Sequence, residues 1–208
     1  MSVLGDVHIA GSKTVDNWQL FRPYLAPGGD QNLWEEALRR YFFPRLAFRY
    51  LEPIKVIQEY GTFQVEGFSI VAIQCSLIEF LESTAQGLSY HYLRRGDRLG
   101  PYEYSNSNQL FVHFLTVRPP FASDFNRQVA QDFYEGVRCG LLHEARPKHK
   151  WRIWGQGPNG TTIDAVRKIV YQNNLQTALL EFVDWYRRSL LADVRFQEAF
   201  IRKFDSLC

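Results

Sequence analysis

An arginine and a histidine stand five positions apart in the middle of the chain, in the segment Arg138-Cys-Gly-Leu-Leu-His143. A guanidinium can hold a phosphate through two parallel hydrogen bonds and stabilise the charge that develops on it. An imidazole can accept or donate a proton near neutral pH, at a ribose hydroxyl or at a leaving oxygen. These two residue types suit RNA cleavage without a metal ion, and the sequence offers no acidic cluster that would obviously bind one.

The spacing of the two residues leaves their geometry open. Residues five apart on a regular α-helix point about 140° from each other, so such a helix would not direct both side chains at one phosphate. Either the helix changes its geometry near Gly140, or the helices of two copies of the chain meet. A simpler alternative is that both basic residues lie in the last turn of a helix and interact with its free carbonyl groups and its dipole.

Several further residues could support such a site. Glu79 is predicted on an apolar helix and could face and orient Arg138, although an ion pair that serves only the fold is the simpler interpretation. Tyr134 lies one helical turn before Arg138 on the same face, where it could line the site or merely pack. Basic residues just after His143 could bind RNA phosphates, although a solvated loop is the default for a charge run: Arg146, Lys148 and Lys150.

The stretch from Tyr90 to Tyr104 mixes aromatic rings with three arginines, namely Arg94, Arg95 and Arg98. Rings and guanidinium groups together could form a stacking and phosphate-binding surface for single-stranded RNA. An ordinary surface loop with its rings turned inward is an equally good interpretation.

Length and composition indicate an ordinary globular protein. The 208 residues carry a net charge of +2, which is too small to argue by itself for nucleic-acid binding. Aromatic residues make up 15%, which favours a thick core or a buried subunit interface. Three cysteines without zinc-binding spacing, no signal-peptide pattern and no long apolar run predict a cytoplasmic protein without a membrane segment, metal or cofactor.

Apolar periodicity predicts a mainly helical chain. Residues 1–29 are expected to be irregular, and Asn32 with Glu35 has the form of a capping box that begins a helix. Pro44 and Pro53 should kink or divide the helical region after this cap. Further helices are predicted over 67–86, from near Ser123 to about Ala145, after a cap at Asn174 and after a cap at Asp193, with 110–117 either a helix or a strand.

A small β-hairpin is expected after the helix that carries Arg138. Residues 151–154 alternate like a strand, 155–160 have the composition of a turn, and 161–163 could form the partner strand. The hairpin would lie within an insertion over residues 148–172.

The segment Phe133 to Ala145, with sequence FYEGVRCGLLHEA, resembles the R-x4-6-H signature of HEPN domains. The resemblance implies a mainly α fold, a HEPN-like bundle of four to five helices that dimerises so that two R-x4-H segments form one ribonuclease site. It implies phosphate stabilisation by Arg138 and proton transfer by His143, without a cofactor. Members act as toxins, in antiphage defence and in RNA processing. One position departs from the pattern, because active members often carry a polar residue where this chain has Cys139.

These considerations predict one HEPN-like domain over residues 1–208 that acts as a metal-independent endoribonuclease. The expected partners are RNA, a second copy of the chain and, for a toxin, an antitoxin or operon partner protein. One alternative is a non-catalytic HEPN-like module that binds RNA, a nucleotide or a protein. The other is a helical interaction protein without a nucleic-acid role, which the small net charge favours.

Overall fold

A computed structural model of the chain describes residues 7–61 and 66–208, and these residues are mainly helical. The α-helices are α1 (Val15–Phe21), α2 (Gln31–Ala37), α3 (Phe43–Leu46), α4 (Glu52–Tyr60), α5 (Glu66–Gln86), α6 (Ser107–Val117), α7 (Arg127–Phe133), α8 (Gly140–Glu144), α9 (Gln172–Ala192) and α10 (Val194–Asp205). Turns of π-helix cover Leu38–Phe42, Ala47–Leu51 and Tyr134–Cys139. The strands are short: β1 (His8–Ala10), β2 (Lys13–Thr14), β3 (Ser89–Tyr90), β4 (Glu103–Tyr104), β5 (Arg152–Trp154), β6 (Ile163–Asp164) and β7 (Ile169–Tyr171).

The residues group into two compact units. The sequence predicted one domain over residues 1–208. The first unit consists of residues 1–52, 83–105 and 186–208, and the second of residues 53–82 and 106–185. Arg138, His143 and all the expected supporting residues belong to the second unit.

The N-terminal part of the first unit is more regular than predicted. The expectation of an irregular segment over 1–29 is wrong for residues 8–24, while residues 1–6 lie outside the described part. Strands β1 and β2 pair antiparallel around Gly11, which adopts a φ of +56°. Thr14 then caps α1, because its hydroxyl accepts from the backbone N–H of Asn17 while the Asn17 side chain accepts from the backbone of Thr14.

The cap of helix α2 lies two residues before the predicted one. Asp30, not Asn32, is the N-cap, and its carboxylate accepts a hydrogen bond from the backbone of Asn32 at 2.9 Å. Pro44 lies in the first turn of α3, directly after a π turn, but the backbone stays helical on both sides of it, so the helical region changes its hydrogen-bond pattern here without being divided. Proline lacks the backbone N–H that a regular helix needs, which explains a change of hydrogen-bond pattern here.

Aromatic rings dominate the core of the first unit. Trp18 packs edge-on against Tyr41 with 5.0 Å between ring centroids, and Phe200 stacks on Phe204 at 4.4 Å. The high aromatic content is therefore accounted for largely by a thick core. Helix α10 begins after an Asp193 cap, as predicted, since that carboxylate accepts from the backbone of Arg195.

Helix α5 supplies the central apolar surface of the second unit. Its bounds match the predicted 67–86 closely, and Ile70, Val71, Leu77 and Ile78 are fully buried. It is long and apolar enough to cross a membrane by length and composition alone. However, 67% of its most apolar window is buried inside the protein, as in a core helix.

A buried ionic network joins α5 to α6. The Glu82 carboxylate has no solvent exposure and accepts hydrogen bonds from Arg118 at 2.9 and 3.1 Å. It also lies 2.6 Å from the Nδ1 atom of His113. Residues 110–117, for which helix and strand were both open, are thus part of a helix whose face is tied to α5.

The sheet in the second unit differs from the expected hairpin. Residues 151–154 do not pair with 161–163, because β7 lies between β5 and β6. β5 pairs parallel with β7, and only β6 and β7 form an antiparallel hairpin within residues 148–172. The predicted cap at Asn174 is also wrong: its amide donates to the Thr161 carbonyl at 2.8 Å and holds the preceding loop.

Candidate functional site

The helix that carries Arg138 changes its geometry immediately before Gly140. Its first part is α7, whose cap Asn126 lies three residues after the predicted start near Ser123. The helix then widens into the π turn Tyr134–Cys139 and continues as α8. It ends at Ala145, which has a left-handed φ of +52°, as the prediction placed it. A π turn inside an α-helix often marks a functional site, so the position of Arg138 within this turn supports its selection as a candidate.

Arg138 is held on two sides inside the second unit. Its Nη2 atom donates to Oε2 of Glu79 at 3.1 Å, and its guanidinium carbon lies 5.4 Å from the ring centroid of Tyr134. The exposed fractions of the Arg138 and Glu79 side chains are 18% and 20%. Burial alone would lower the pKa of Arg138, but Tyr134 and Glu79 raise it above the ordinary arginine value. Glu79 therefore faces Arg138, as the sequence suggested it could.

Tyr134 is itself fixed in place. Its hydroxyl lies 2.9 Å from Oγ of Ser107, and its ring contacts Phe111 edge-on at 5.4 Å. Burial raises the pKa of the phenol, so the ring stays neutral at physiological pH. Tyr134 therefore both contacts the Arg138 guanidinium and packs against residues of α6.

His143 lies in α8 with its side chain exposed to solvent. In the described part of the chain, residues 7–61 and 66–208, no hydrogen bond or ion pair of this histidine is found. Arg138 points at Glu79 and His143 at solvent, so the two side chains of one chain do not meet on a common partner. The change of helix geometry is present, but it does not by itself bring the pair together.

The basic residues after His143 form a loop that returns to its own helix. Arg146 and Lys150 are exposed, and Lys148 pairs with Glu144 at 3.0 Å between Nζ and Oε1. A Cβ atom added at Gly140 would lie 2.6 Å from the Arg146 carbonyl oxygen, so the loop needs a glycine on the helix. The three supporting cations are therefore near the end of the helix, with two of them directed to solvent.

Asp132 anchors this loop, and sequence reasoning missed it. Its carboxylate accepts hydrogen bonds from Lys168 at 2.7 Å and Trp151 at 2.9 Å, and lies 3.0 Å from Nδ1 of His149. Burial would raise the pKa of Asp132, but these donors outweigh it and hold the pKa below the ordinary aspartate value. In the sequence Asp132 is one of two carboxylates on the helix before Arg138, together with Glu135, and nothing links it to the loop.

Trp151, just before β5, and Trp154, within it, differ in burial. Trp151 is buried against Gly136 of the π turn, where a Cβ atom would lie 2.5 Å from its Cδ1 atom. Trp154 is largely exposed, and the guanidinium groups of Arg152 and Arg167 lie over its ring. The contact at Gly136 ties β5 to the helix that carries Arg138.

Neither the cysteines nor the acidic residues indicate a metal or a nucleophile. Among the described residues, no group of three or more histidine, cysteine, aspartate or glutamate side chains could hold a metal ion. Burial raises the pKa of Cys75 to about 12, so that thiol stays protonated. The ionisable side chains that interact with Arg138 are Glu79, Tyr134 and Cys139, whereas His143 lies exposed in α8.

The chain matches no protein-family model, no curated protein sequence and no solved structure. The resemblance to HEPN domains consequently rests on residues 133–145 alone.

Proposed function

We propose that this protein is a metal-independent endoribonuclease of the HEPN type, with a site built from Arg138 and His143 of two copies of the chain. The observation that carries the proposal is the arrangement of the R-x4-H segment. A guanidinium is held rigidly by Glu79 and Tyr134, and an exposed imidazole follows it on the same helix. Exposed cations at the end of that helix favour an anionic substrate.

The proposed reaction needs no group beyond these residues and RNA. His143 of one copy removes the proton of a ribose 2′-hydroxyl, whose oxygen then attacks the adjacent phosphorus. The bond from phosphorus to the 5′-oxygen breaks, and that oxygen takes up a proton from an imidazolium or from water. Arg138 stabilises the extra negative charge on the phosphate oxygens during this step. The products are a 2′,3′-cyclic phosphate end and a 5′-hydroxyl end.

A second copy of the chain is part of the proposal because of the directions of the two side chains. Within one chain Arg138 is turned towards Glu79, whereas His143 points to solvent. A symmetric dimer that joins two α8 helices would present both imidazoles to the same cleft. A cytoplasmic toxin or antiphage-defence role, with an antitoxin or operon partner protein, belongs to the same proposal by resemblance.

The test is RNA cleavage by purified protein in the presence of EDTA. Arg138→Ala and His143→Ala should each lower the rate about 100-fold or more, since a positioned acid–base group contributes at least that much. Arg138→Lys should also be impaired, because an ammonium group cannot hold a phosphate through a fork. Matched controls are Arg39→Ala and His8→Ala, which remove exposed residues of the same types from the first unit.

Mixing the two inactive variants tests the dimer. If the site combines residues of two copies, equal amounts of Arg138→Ala and His143→Ala protein should recover activity that neither has alone. Folded wild-type protein that leaves RNA intact, or variants that cleave as fast as wild type, would contradict catalysis at these residues. Failure of the mixture to recover activity would contradict the composite arrangement.

The ion pair between Arg138 and Glu79 favours a second candidate function. A guanidinium that is already paired, next to Cys139 where active HEPN members often have a polar residue, suits a non-catalytic module that binds RNA, a nucleotide or a protein. Glu79→Gln distinguishes the two functions. If Glu79 orients a catalytic Arg138, the turnover number should fall while the KM changes little, and the protein should remain folded.

A further inference from the structure

One loop of the first unit combines exposed rings with exposed guanidinium groups. We propose that residues 90–102, here called the tyrosine–arginine loop, bind single-stranded nucleic acid by stacking bases on Tyr90, Tyr92 and Tyr102 and by contacting phosphates with Arg94, Arg95 and Arg98. The proposal does not rest on cleavage at Arg138 and His143.

The base of the loop is closed by backbone hydrogen bonds. Strands β3 and β4 pair parallel, with the Ser89 N–H donating to the Tyr102 carbonyl at 2.9 Å and the His91 N–H to the Tyr104 carbonyl at 2.8 Å. The two ends are therefore fixed to each other. A loop with a fixed base loses less conformational freedom when it binds a ligand than an open segment of the same length.

The rings of the loop are turned outward. The exposed fractions of Tyr90, Tyr92 and Tyr102 are 57%, 71% and 49%, and Leu93 and Leu99 are also exposed. Two of the rings also have neighbours, because the Arg202 guanidinium carbon lies 4.2 Å from the Tyr102 ring centroid and Tyr90 contacts Tyr104 edge-on at 5.6 Å. Tyr92 is therefore the most exposed ring, and each of the other two keeps an exposed part that a base can contact. Large apolar surfaces grouped on one loop indicate a binding site, because scattered exposure of single residues is ordinary but grouping is not.

The carboxylates of Asp97 in the loop and of Glu103 just after it accept hydrogen bonds from the loop backbone, and the three arginines are exposed to solvent. Oδ2 of Asp97 accepts from the Arg94 backbone N–H at 2.8 Å, and Oε2 of Glu103 accepts from the Gly100 backbone at 2.7 Å. Glu103 also lies 3.3 Å from His91. Within the described part of the chain, no hydrogen bond or ion pair is found for the guanidinium groups of the three arginines: Arg94, Arg95 and Arg98.

The combination of groups selects the ligand. Every nucleobase has a flat face that stacks on tyrosine, and every nucleotide carries a phosphate that an arginine can bind, so alternating rings and cations match a single strand. In a duplex the bases stack on one another and their faces are covered, so the rings would find no partner. Stacking and phosphate contacts are available to every nucleotide, and we therefore expect little sequence preference.

The test is binding of fluorescent oligothymidylate of about 12 nucleotides, measured by fluorescence anisotropy. DNA is the first probe because it lacks the 2′-hydroxyl that the proposed cleavage needs, so binding is measured without turnover. Binding of oligouridylate is then measured with the His143→Ala variant, and comparison of the two affinities shows whether RNA or DNA is preferred. A duplex of the same length is the negative control.

The expected result is saturable binding of single strands and much weaker binding of the duplex. Tyr92→Ala should weaken binding about tenfold or more. The triple variant Arg94→Gln, Arg95→Gln, Arg98→Gln should reduce the slope of log affinity against log salt by about 2, since each phosphate contact contributes about 0.7 for single strands. Tyr24→Ala and Arg39→Gln, which change exposed residues of the same unit, should bind like wild type.

Three results would overturn the proposal: no saturable binding by folded wild-type protein, equal binding of the duplex, or loop variants that bind like wild type. Circular dichroism would check folding, which exposed substitutions should preserve. Binding that survives Arg138→Ala and His143→Ala would separate this surface from the proposed ribonuclease site, so that the two proposals can fail independently.

Discussion

Replacing Arg118 by methionine should destabilise the second unit strongly. The substitution removes the bidentate partner of Glu82, whose side chain has no solvent exposure, while Arg118 itself is only 13% exposed. Breaking one side of a buried ion pair costs about 3–5 kcal/mol, because a charge is left in a poorly solvated place. Methionine keeps an unbranched apolar chain in place of the arginine stem, so the substitution removes the guanidinium, including its contact with the Trp185 ring at 5.7 Å.

The lower end of that range applies here. Nδ1 of His113 lies 2.6 Å from Glu82, so the carboxylate keeps one hydrogen-bond partner after the substitution. A loss of about 3 kcal/mol corresponds to a fall in the midpoint of thermal unfolding of about 6–12 °C for a chain of this length. Circular dichroism measures this midpoint directly at neutral pH.

Two further variants make the test specific. The double variant Glu82→Gln, Arg118→Met should be more stable than Arg118→Met alone, because the buried charge is then gone together with its partner. Lys55→Met breaks the exposed pair with Glu59 and should leave the midpoint unchanged. A fall of less than about 2 °C for Arg118→Met, or a double variant less stable than the single one, would refute the reasoning.

Three other changes test contacts around the candidate site. Asp132→Asn should lower the thermal midpoint at neutral pH, because a carboxylate whose pKa is lower in the folded than in the unfolded chain stabilises the fold when it is ionised. Below about pH 4 the wild-type carboxylate takes up a proton, and the midpoints of the two proteins should approach each other. A pH-independent difference would contradict this. Gly140→Ala should destabilise the protein, since its Cβ would meet backbone at 2.6 Å, whereas Gly155→Ala, with its nearest neighbour at 3.9 Å, should not. Iodoacetamide should label the exposed Cys208 but not the buried Cys75, whose pKa is raised to about 12, and equal labelling of native protein would count against that burial.

Long apolar patterns allowed the core helices to be predicted from the sequence. Helix α5 was placed within one residue at its start, because few polar residues interrupt its pattern, and α10 began at its predicted cap. The N-terminal segment and the cap of α2 were missed. Competing cap residues stand close together there, and a two-strand hairpin of this length has too few residues to show alternation.

The candidate site was predictable in part. The pairing of Glu79 with Arg138 could be suggested because a carboxylate on an apolar helix usually needs a partner. The role of Asp132 and the order of strands β5, β7 and β6 could not, because both depend on contacts between segments distant in the sequence. Periodicity reports which face of an element is apolar, but not which element will cover it.

The π turn at residues 134–139 also bears on how chains of this kind can change in length. A π turn holds one residue more than an α turn while the helix continues on both sides. Removal of that extra residue would restore regular α geometry and leave the turns after it in nearly their present direction, because the π turn holds the residue without advancing the helix. The same deletion in a regular α segment would rotate everything after it by about 100°. A chain one residue shorter at this turn is therefore expected to keep both its core and the direction of His143.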